Sequence, residues 1–520
     1  MTSMHKSWLL LCLFCVCASA ATQDTMQVEL MIRDDSPQAR IDPNVHGQFA
    51  EHLGRGIYEG IWVGEDSKIP NTRGYRNDVL AALKRLGVPV LRWPSGCFAD
   101  EYHWRDGIGP RAQRPVHVNT NWGGVEESNA FGTHEFFGLA ELLGAQVYVN
   151  GNVGTGSPQE MAEWVEYITS DTKSSLAELR RKNGRDKPWK LDFFGVGNET
   201  WGCGGTMRPE FSADVHRRYA TFIRAPRDNR PKIIATGANA SNTPWTEALM
   251  RDANEHLDAL TLHYYTIPTG KWDKKGSATQ FDEAEWIITL SRTLRMDEVL
   301  ANHSRIMDKY DPQNRIGLFV DEWGTWYDTE PGTNPDFLFQ QNSMRDALVA
   351  AINLNIFHRH AERVRMTNIA QMVNVLQAMI LTRGDAMALT PTYHVFEMYK
   401  PFRGATNLSV EMASPRYRLG EVEVPAVHVS AARGDDTQMH VGIANLDPHR
   451  SAAFTLHLSK TKPKKASARV LTAPTMQAFN SFEQPAAVTP RERAAIKTGD
   501  QVTVTVPAKA VAIVSIETIN

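Results

Sequence analysis

The 520-residue chain is short of several things, and each shortage removes a class of function. Neither sign of charge is in excess: Lys+Arg 56 against Asp+Glu 59 gives a formal net charge of −3, so there is no concentrated basic face to hold nucleic acid. Apolar runs are short. The longest candidate, Trp8 to Cys17, is about half the ~20 residues that a bilayer-spanning helix needs. Cysteine is scarce as well: three of the five, Cys12, Cys15 and Cys17, lie in the first twenty residues, which leaves Cys97 and Cys203. Beyond that segment there is no Cys-x-x-Cys, and no His-Glu-x-x-His anywhere, so no metal is expected. No Gly-x-Gly-x-x-Gly follows an early strand and no Gly-x-Ser-x-Gly occurs, which speaks against a dinucleotide cofactor and a serine nucleophile. No cofactor of any kind is called for.

What is present is ordinary folded-protein composition, with 42% hydrophobic, 22% charged and 9% aromatic residues. Lys6 followed by the apolar run and Ala18-Ser19-Ala20 reads as a signal peptide over residues 1–20. The expectation is therefore an exported protein, periplasmic or secreted, with no membrane attachment after cleavage.

From residue 45 to 395, short β-branched runs alternate with helical patterns, which argues for repeated βα units. Candidate strands are Val45–Phe49, Pro89–Trp93, Gln146–Val149, Asp192–Gly197, Lys232–Thr236, Ala259–His263, Ile316–Asp321 and Ile369–Val373. Eight is the number that closes a (β/α)₈ TIM barrel, so the fold class is α/β. Helix starts are expected at Thr133 and at Ser157-Pro158. Residues 396–520 turn to a period of two broken by Pro, Gly and Asp, which predicts a C-terminal antiparallel, jelly-roll-like β-sandwich. Residues 21–44 share that texture through Gln27–Ile32, and by pattern alone fit the sandwich and the barrel equally.

Barrel active sites lie at the C-terminal ends of the strands. Two acids stand there: Glu199, in Gly197-Asn198-Glu199 after the fourth run, and Glu322, in Asp321-Glu322-Trp323-Gly324 after the seventh. A carboxyl pair across a barrel mouth is the apparatus of glycoside hydrolysis, one group protonating the leaving oxygen and the other attacking carbon or activating water. Arg92 ends the apolar Val88–Leu91 run, where a buried guanidinium needs a carboxylate partner. Trp93, Trp104, Trp122, Trp201, Trp323 and Trp326 cluster in the same loops, and Trp201, Trp323 and Trp326 flank the acids directly. Such rings stack on sugar C–H faces or pack the core.

With Gly47–Arg55 (Gly-Gln-Phe-Ala-Glu-His-Leu-Gly-Arg), Arg92–Phe98 and Ala370–Asn374, these motifs resemble the α-L-arabinofuranosidases of glycoside hydrolase family 51 over nearly the whole chain. The resemblance implies a retaining exo-enzyme acting on arabinan, arabinoxylan or their oligosaccharides, with Glu199 as acid/base and Glu322 as nucleophile. It implies sugar contacts from Glu51, Asn198 and Gln371, support of the nucleophile by Arg92, Tyr265 and His263, and pocket positions for Cys97 and Trp323. Ser95-Gly96-Cys97 departs from the family pattern, in which an Asn follows and reaches the sugar. Cys97 and Cys203 follow barrel strands and read either as a disulfide bracing two loops or as two buried thiols. Relatives of this kind form homo-oligomers. Related activities on the same barrel, β-xylosidase or endo-β-1,4-glucanase, and a silent carbohydrate-binding protein are the competing readings.

Overall fold

The structure is a computed structural model that describes residues 25–436 and 438–519. The signal-peptide expectation falls on residues 1–20, outside the described residues.

Eight parallel strands close into a barrel: β1 (Gly47–Phe49), β2 (Val90–Trp93), β3 (Gln146–Gly151), β4 (Phe193–Val196), β5 (Lys232–Asn239), β6 (Ala259–Thr266), β7 (Gly317–Thr325) and β8 (Val364–Ile369). Each strand pairs with the next in sequence, and β8 closes on β1 through Asn368 and Ile369 opposite Gly47 and Gln48. Val90, Tyr148, Phe193, Ile234, Ala259, Phe319 and Met366 fill one interior layer, so the barrel is a packed core whose mouth is left for chemistry.

The eighth and seventh strands depart furthest from the sequence reading. The eighth was expected at Ile369–Val373 and lies instead at Val364–Ile369. The apolar run after it is a buried loop, and the strand itself was masked by Arg365, Thr367 and Asn368. The seventh was expected to stop at Asp321 and continues to Thr325, so Glu322 is a strand residue. Rigid placement follows, because every one of its nine residues is buried.

The helix at Pro158–Thr169 starts as expected, with the Ser157 side chain accepting from the Glu160 N–H. The helix at Thr133–Leu143 starts where expected but with Gly132 rather than Thr133 as its cap, and the Glu135 carboxylate accepts the Gly132 N–H at 2.9 Å.

The C-terminal region is built on a ten-stranded sheet. Its N-terminal member, Met26–Arg40, lies between Thr406–Met412 and Ala452–Leu458. The first pairing is antiparallel and the second parallel, so the sheet is mixed rather than purely antiparallel. Strand Lys462–Leu471 near one end of the sheet comes to lie against Ala495–Thr498 and Gln501–Val506 at the other, which doubles the sheet over a shared core. The helix Met344–Arg359, buried on nearly all sides, joins the two regions through Asn355, whose amide nitrogen donates to the His428 carbonyl at 3.2 Å.

Because the alternating residues Val28, Leu30 and Ile32 of the first strand are fully buried, the strand is a structural member of the sheet rather than a tail. Leu30→Ala is expected to cost about 2–5 kcal/mol by cavity formation. Thermal unfolding measures it, and a change within experimental error would contradict the packing.

Candidate active site

Strand β7 delivers both Asp321 and Glu322 to the barrel interior, where each meets Arg92 and His263, because its pairing with β8 is irregular between Val320 and Trp323; its register with β6 sets His263 beside Glu322. Glu322 Oε1 accepts from Arg92 Nη1 at 3.0 Å, and Oε2 accepts from the Tyr265 hydroxyl at 3.0 Å. His263 Nδ1 is 3.4 Å from the same Oε2. Burial pushes the Glu322 carboxyl up and Glu199 pushes it the same way, while His263 and Arg92 oppose both.

Glu199 stands on the loop after β4 with φ at +42°, in the left-handed region that side chains seldom occupy. Several contacts hold it there. Its carbonyl accepts from the N–H groups of Gly202 at 2.7 Å and Gly204 at 3.1 Å. One residue back, the Asn198 N–H donates to Asp100 Oδ2 at 2.8 Å. Four residues on, Cys203 is joined to Cys97 in a disulfide with Cα atoms 5.4 Å apart, which ties this loop to the one after β2. The carboxylate oxygen Oε1 is 2.7 Å from His263 Nδ1. Oxygens of Glu199 and Glu322 lie within 4.8 Å of each other.

His263 is the hub between the acids. Its Nε2 meets Asp321 Oδ1 at 3.1 Å while Nδ1 faces Glu199. Burial works against a charged ring, but Glu322, Asp321 and Glu199 outweigh it and raise the imidazole to about 10. Glu199, His263 and Glu322 are close enough to hold a cation, yet an imidazolium with both nitrogens donating offers no lone pair to a metal.

The floor is made by Glu51. Oε1 accepts from the Trp122 indole at 2.7 Å and the Phe98 N–H at 3.2 Å, and Oε2 accepts from Gln371 at 2.9 Å. Gly96 is required beside it, because a Cβ there would meet the Glu51 carboxylate at 2.2 Å. Burial, with Glu322 adding to it, raises the Glu51 carboxyl to about 8. Two buried polar atoms in this pocket have no protein partner, Asn198 Nδ2 and Gln371 Oε1: one donor and one acceptor placed for a hydroxylated ligand.

Of the residues singled out from sequence, Glu51, Cys97, Glu199, Tyr265, Glu322 and Gln371 line one small pocket with Trp122, Trp326 and Leu338. Arg92, Asn198 and His263 stand directly behind it. Trp323 does not belong there. It is fully buried, donates to Thr367 Oγ1 at 3.1 Å and stacks on Phe396, because strand alternation turns it outward to the helices when Glu322 turns inward. Trp93 and Trp104 are core residues too. Sequence reasoning missed Asp321 and Asp100. Asp321 accepts from the Tyr148 hydroxyl at 3.0 Å and faces Arg92 at 3.1 Å, which hold its carboxyl below the usual range despite burial. Asp100 receives the N–H groups of Val153 and Asn198, and burial raises it to about 7. The Asp321-Glu322 doublet was visible in the sequence; Asp100, at the end of the short 3₁₀ helix Gly96–Asp100, gave no signal. A larger hollow of about 700 Å³ between the helices Pro158–Thr169 and Pro209–Phe222 lies on the barrel's outside, away from these acids.

Comparison with known proteins agrees with this geometry. Residues 82–285 match the family model described as the α-L-arabinofuranosidase 1 domain, and residues 321–510 match the α-L-arabinofuranosidase C-terminal domain. A Bacteroides ovatus protein named intracellular exo-α-L-arabinofuranosidase is 50% identical over 486 residues, 93% of this chain and 94% of the relative. The crystal structure of the GH51 arabinofuranosidase from Xanthomonas axonopodis pv. citri superposes with a TM-score of 0.93 at 55% identity, covering 94% of this chain and all of that one. A Thermotoga maritima α-L-arabinofuranosidase in complex with arabinose gives 0.84 at 28% identity over 94% of this chain and all of that one. The Bacteroides protein also corrects the expectation of export: a relative this similar carries an intracellular name, and the segment on which that expectation rested lies outside the described residues.

The Glu51 carboxyl generates a pH prediction. Its folded value, about 8, stands above the ordinary 4.5, so the bound proton stabilises the fold fully below about pH 4.5, and that contribution is lost as pH rises through 8. Glu51→Gln cannot lose it. The melting temperature of Glu51→Gln relative to the parent should therefore climb between pH 4.5 and 8. A flat difference across that range would refute the raised carboxyl.

Proposed function

The chain belongs to the α-L-arabinofuranosidases of glycoside hydrolase family 51, and from that premise we propose that it works by double displacement with Glu322 as nucleophile and Glu199 as acid/base. Its substrate carries terminal α-L-arabinofuranosyl units, and arabinan, arabinoxylan or derived oligosaccharides supply them. The observation that carries the retaining mechanism is the closeness of the two carboxylates, within 4.8 Å oxygen to oxygen. Retention uses carboxyl groups about 5–5.5 Å apart, whereas inversion needs about 6.5–9.5 Å to seat a water between them.

In the first step Glu322 attacks the anomeric carbon while Glu199 gives its proton to the departing glycosidic oxygen, forming a glycosyl ester and a free alcohol. In the second, Glu199 takes a proton from water as the water oxygen attacks the same carbon and the ester bond to Glu322 breaks. Arg92 and Tyr265 each hold one oxygen of Glu322, which fixes its attack direction and stabilises its charge. Glu51, Asn198 and Gln371 are placed to hydrogen-bond ring hydroxyls, with Trp122 and Trp326 as walls. A floor closed by Glu51 and Gln371 favours a terminal sugar over a continuous chain, which supports the exo reading. The β-xylosidase, endo-glucanase and non-catalytic alternatives are not favoured, since the relatives at 50% and 55% identity are arabinofuranosidases by name and both acids are in place.

Glu322→Ala should abolish turnover of an aryl α-L-arabinofuranoside and regain it with azide, which releases the arabinosyl azide of inverted configuration. Glu199→Ala should lose about 10²–10⁴-fold in kcat on natural oligosaccharides and far less on aryl substrates whose leaving group needs no proton. Full activity of either variant on a natural oligosaccharide would overturn the assignment.

A further inference from the structure

The outer edge of the pocket carries a surface that the hydrolytic machinery does not use. Tyr265, which holds Glu322, stands edge-on to Trp326 with centroids 5.0 Å apart, and Trp326 stands edge-on to Trp272 at 5.1 Å. This aromatic row runs from the nucleophile's support outward to a ring that is 55% exposed. Exposing so large an apolar group costs free energy with no structural return, and a row of rings leading out of a glycosidase pocket offers faces to sugar C–H groups.

The loop that carries Trp272 is basic. Between Thr269 and Gly276 it presents Lys271, Lys274 and Lys275 against one acid, Asp273. Lys275 Nζ lies 6.0 Å from the Trp272 centroid and 5.8 Å from that of Trp326. The lysines found in ion pairs are Lys187, Lys309, Lys462 and Lys464, and among the described residues none of this loop's three is paired. Two further acids are near. Asp328 is turned to the backbone, accepting from the N–H groups of Lys275 and Gly276, and Glu285 lies beside Gly276. Lys271 and Lys274 are exposed at the pocket's rim and Lys275 holds its ammonium over the two indole rings, in a chain whose overall charge is slightly negative.

We propose that this rim binds the leaving-group side of the substrate and that the glycan it fits carries carboxylates, as uronate residues do: Trp272 and Trp326 stack on sugar faces while Lys271, Lys274 and Lys275 attract the acid groups. The inference rests on the arabinofuranosidase reading and extends it, because the arabinosyl pocket itself selects only the neutral terminal sugar.

The test uses the full chain and a matched pair of substrates: an arabinofuranosyl-substituted oligosaccharide bearing a uronate on its backbone, and the same compound with that carboxyl reduced to the alcohol. At low ionic strength the acidic form should have kcat/KM about ten-fold above the neutral one, and the preference should vanish near 0.5 M salt. Combined Lys271→Gln, Lys274→Gln and Lys275→Gln should bring the ratio to about one. Trp272→Ala should lower kcat/KM for both oligosaccharides relative to an aryl α-L-arabinofuranoside, which has no sugar to stack there. Equal kcat/KM for the pair in the unmodified enzyme, or a preference that survives the triple substitution, would overturn the proposal. The salt series needs no variant, so misfolding of one cannot rescue it. Failure of the unmodified enzyme to cleave the aryl arabinofuranoside would bring down the underlying reading instead.

Discussion

One buried guanidinium organises the site. Arg92, at the inner end of β2, donates to Asn150 on β3 at 3.0 Å, to Asn198 after β4 at 2.6 Å and to Glu322 on β7 at 3.0 Å, and takes the Asp321 carbonyl at 3.0 Å besides. A cation with 1% exposure can exist only if its donors are met. The barrel meets them from the ends of three strands, β3, β4 and β7, so the arginine acts as a gauge for the distances between those ends and its own. It also stacks against Phe49 and Tyr148, which closes the remaining faces to water. Positions of Asn198, and through it Glu199, and of Glu322 therefore depend on a single planar group whose fork geometry lysine could not reproduce.

The strand-end logic made much of this legible beforehand. Glu199 and Glu322 could be found because each follows an apolar run, and Arg92 because Val88–Leu91 drives it inward. The barrel was legible from the same periodicity, and it erred where polar residues lie inside a buried strand: β8 contains Thr367 and Asn368, whose side chains bond Val45 and Gln48 across the closure of the barrel. The same alternation explains Trp323. On the Trp323 side of Glu322 the pleat places the next residue on the opposite face, so nearness along the chain argued for the pocket while the pleat argued for the core. Asp100 was invisible for a different reason. Its role is to receive backbone N–H groups from two loops distant in sequence, and no local pattern encodes such a meeting.

The near-neutral net charge also divides on inspection into distinct local fields. Inside the pocket, cations and acids face each other at hydrogen-bond distance and largely cancel. At the rim, three lysines stand around one acid of their own loop and, among the described residues, none of them is in an ion pair. A whole-chain sum near zero thus describes neither place, and the sugar-binding problem separates into a neutral part met by hydrogen bonds and a leaving-group part open to charge.

Charge counting inside the pocket finally separates the roles of its acids. Four carboxyl groups, from Glu51, Glu199, Asp321 and Glu322, face two cations, Arg92 and the imidazolium of His263. In so dry an environment two cations directly match two negative charges. Asp321, fully enclosed and touched by both cations, keeps one of the charges. Glu322, gripped by Arg92 on one oxygen, keeps the second. Glu51 holds a proton because burial leaves it no cation. Glu199 is the more open of the two acids that reach His263 Nδ1: its side chain is 17% exposed where that of Glu322 is 6%, and the ring nitrogen stands 2.7 Å from Glu199 and 3.4 Å from Glu322. The proposed division between a nucleophile gripped by Arg92 and Tyr265 and an acid/base open to solvent then rests on what surrounds each carboxyl, rather than on any intrinsic difference between two glutamates.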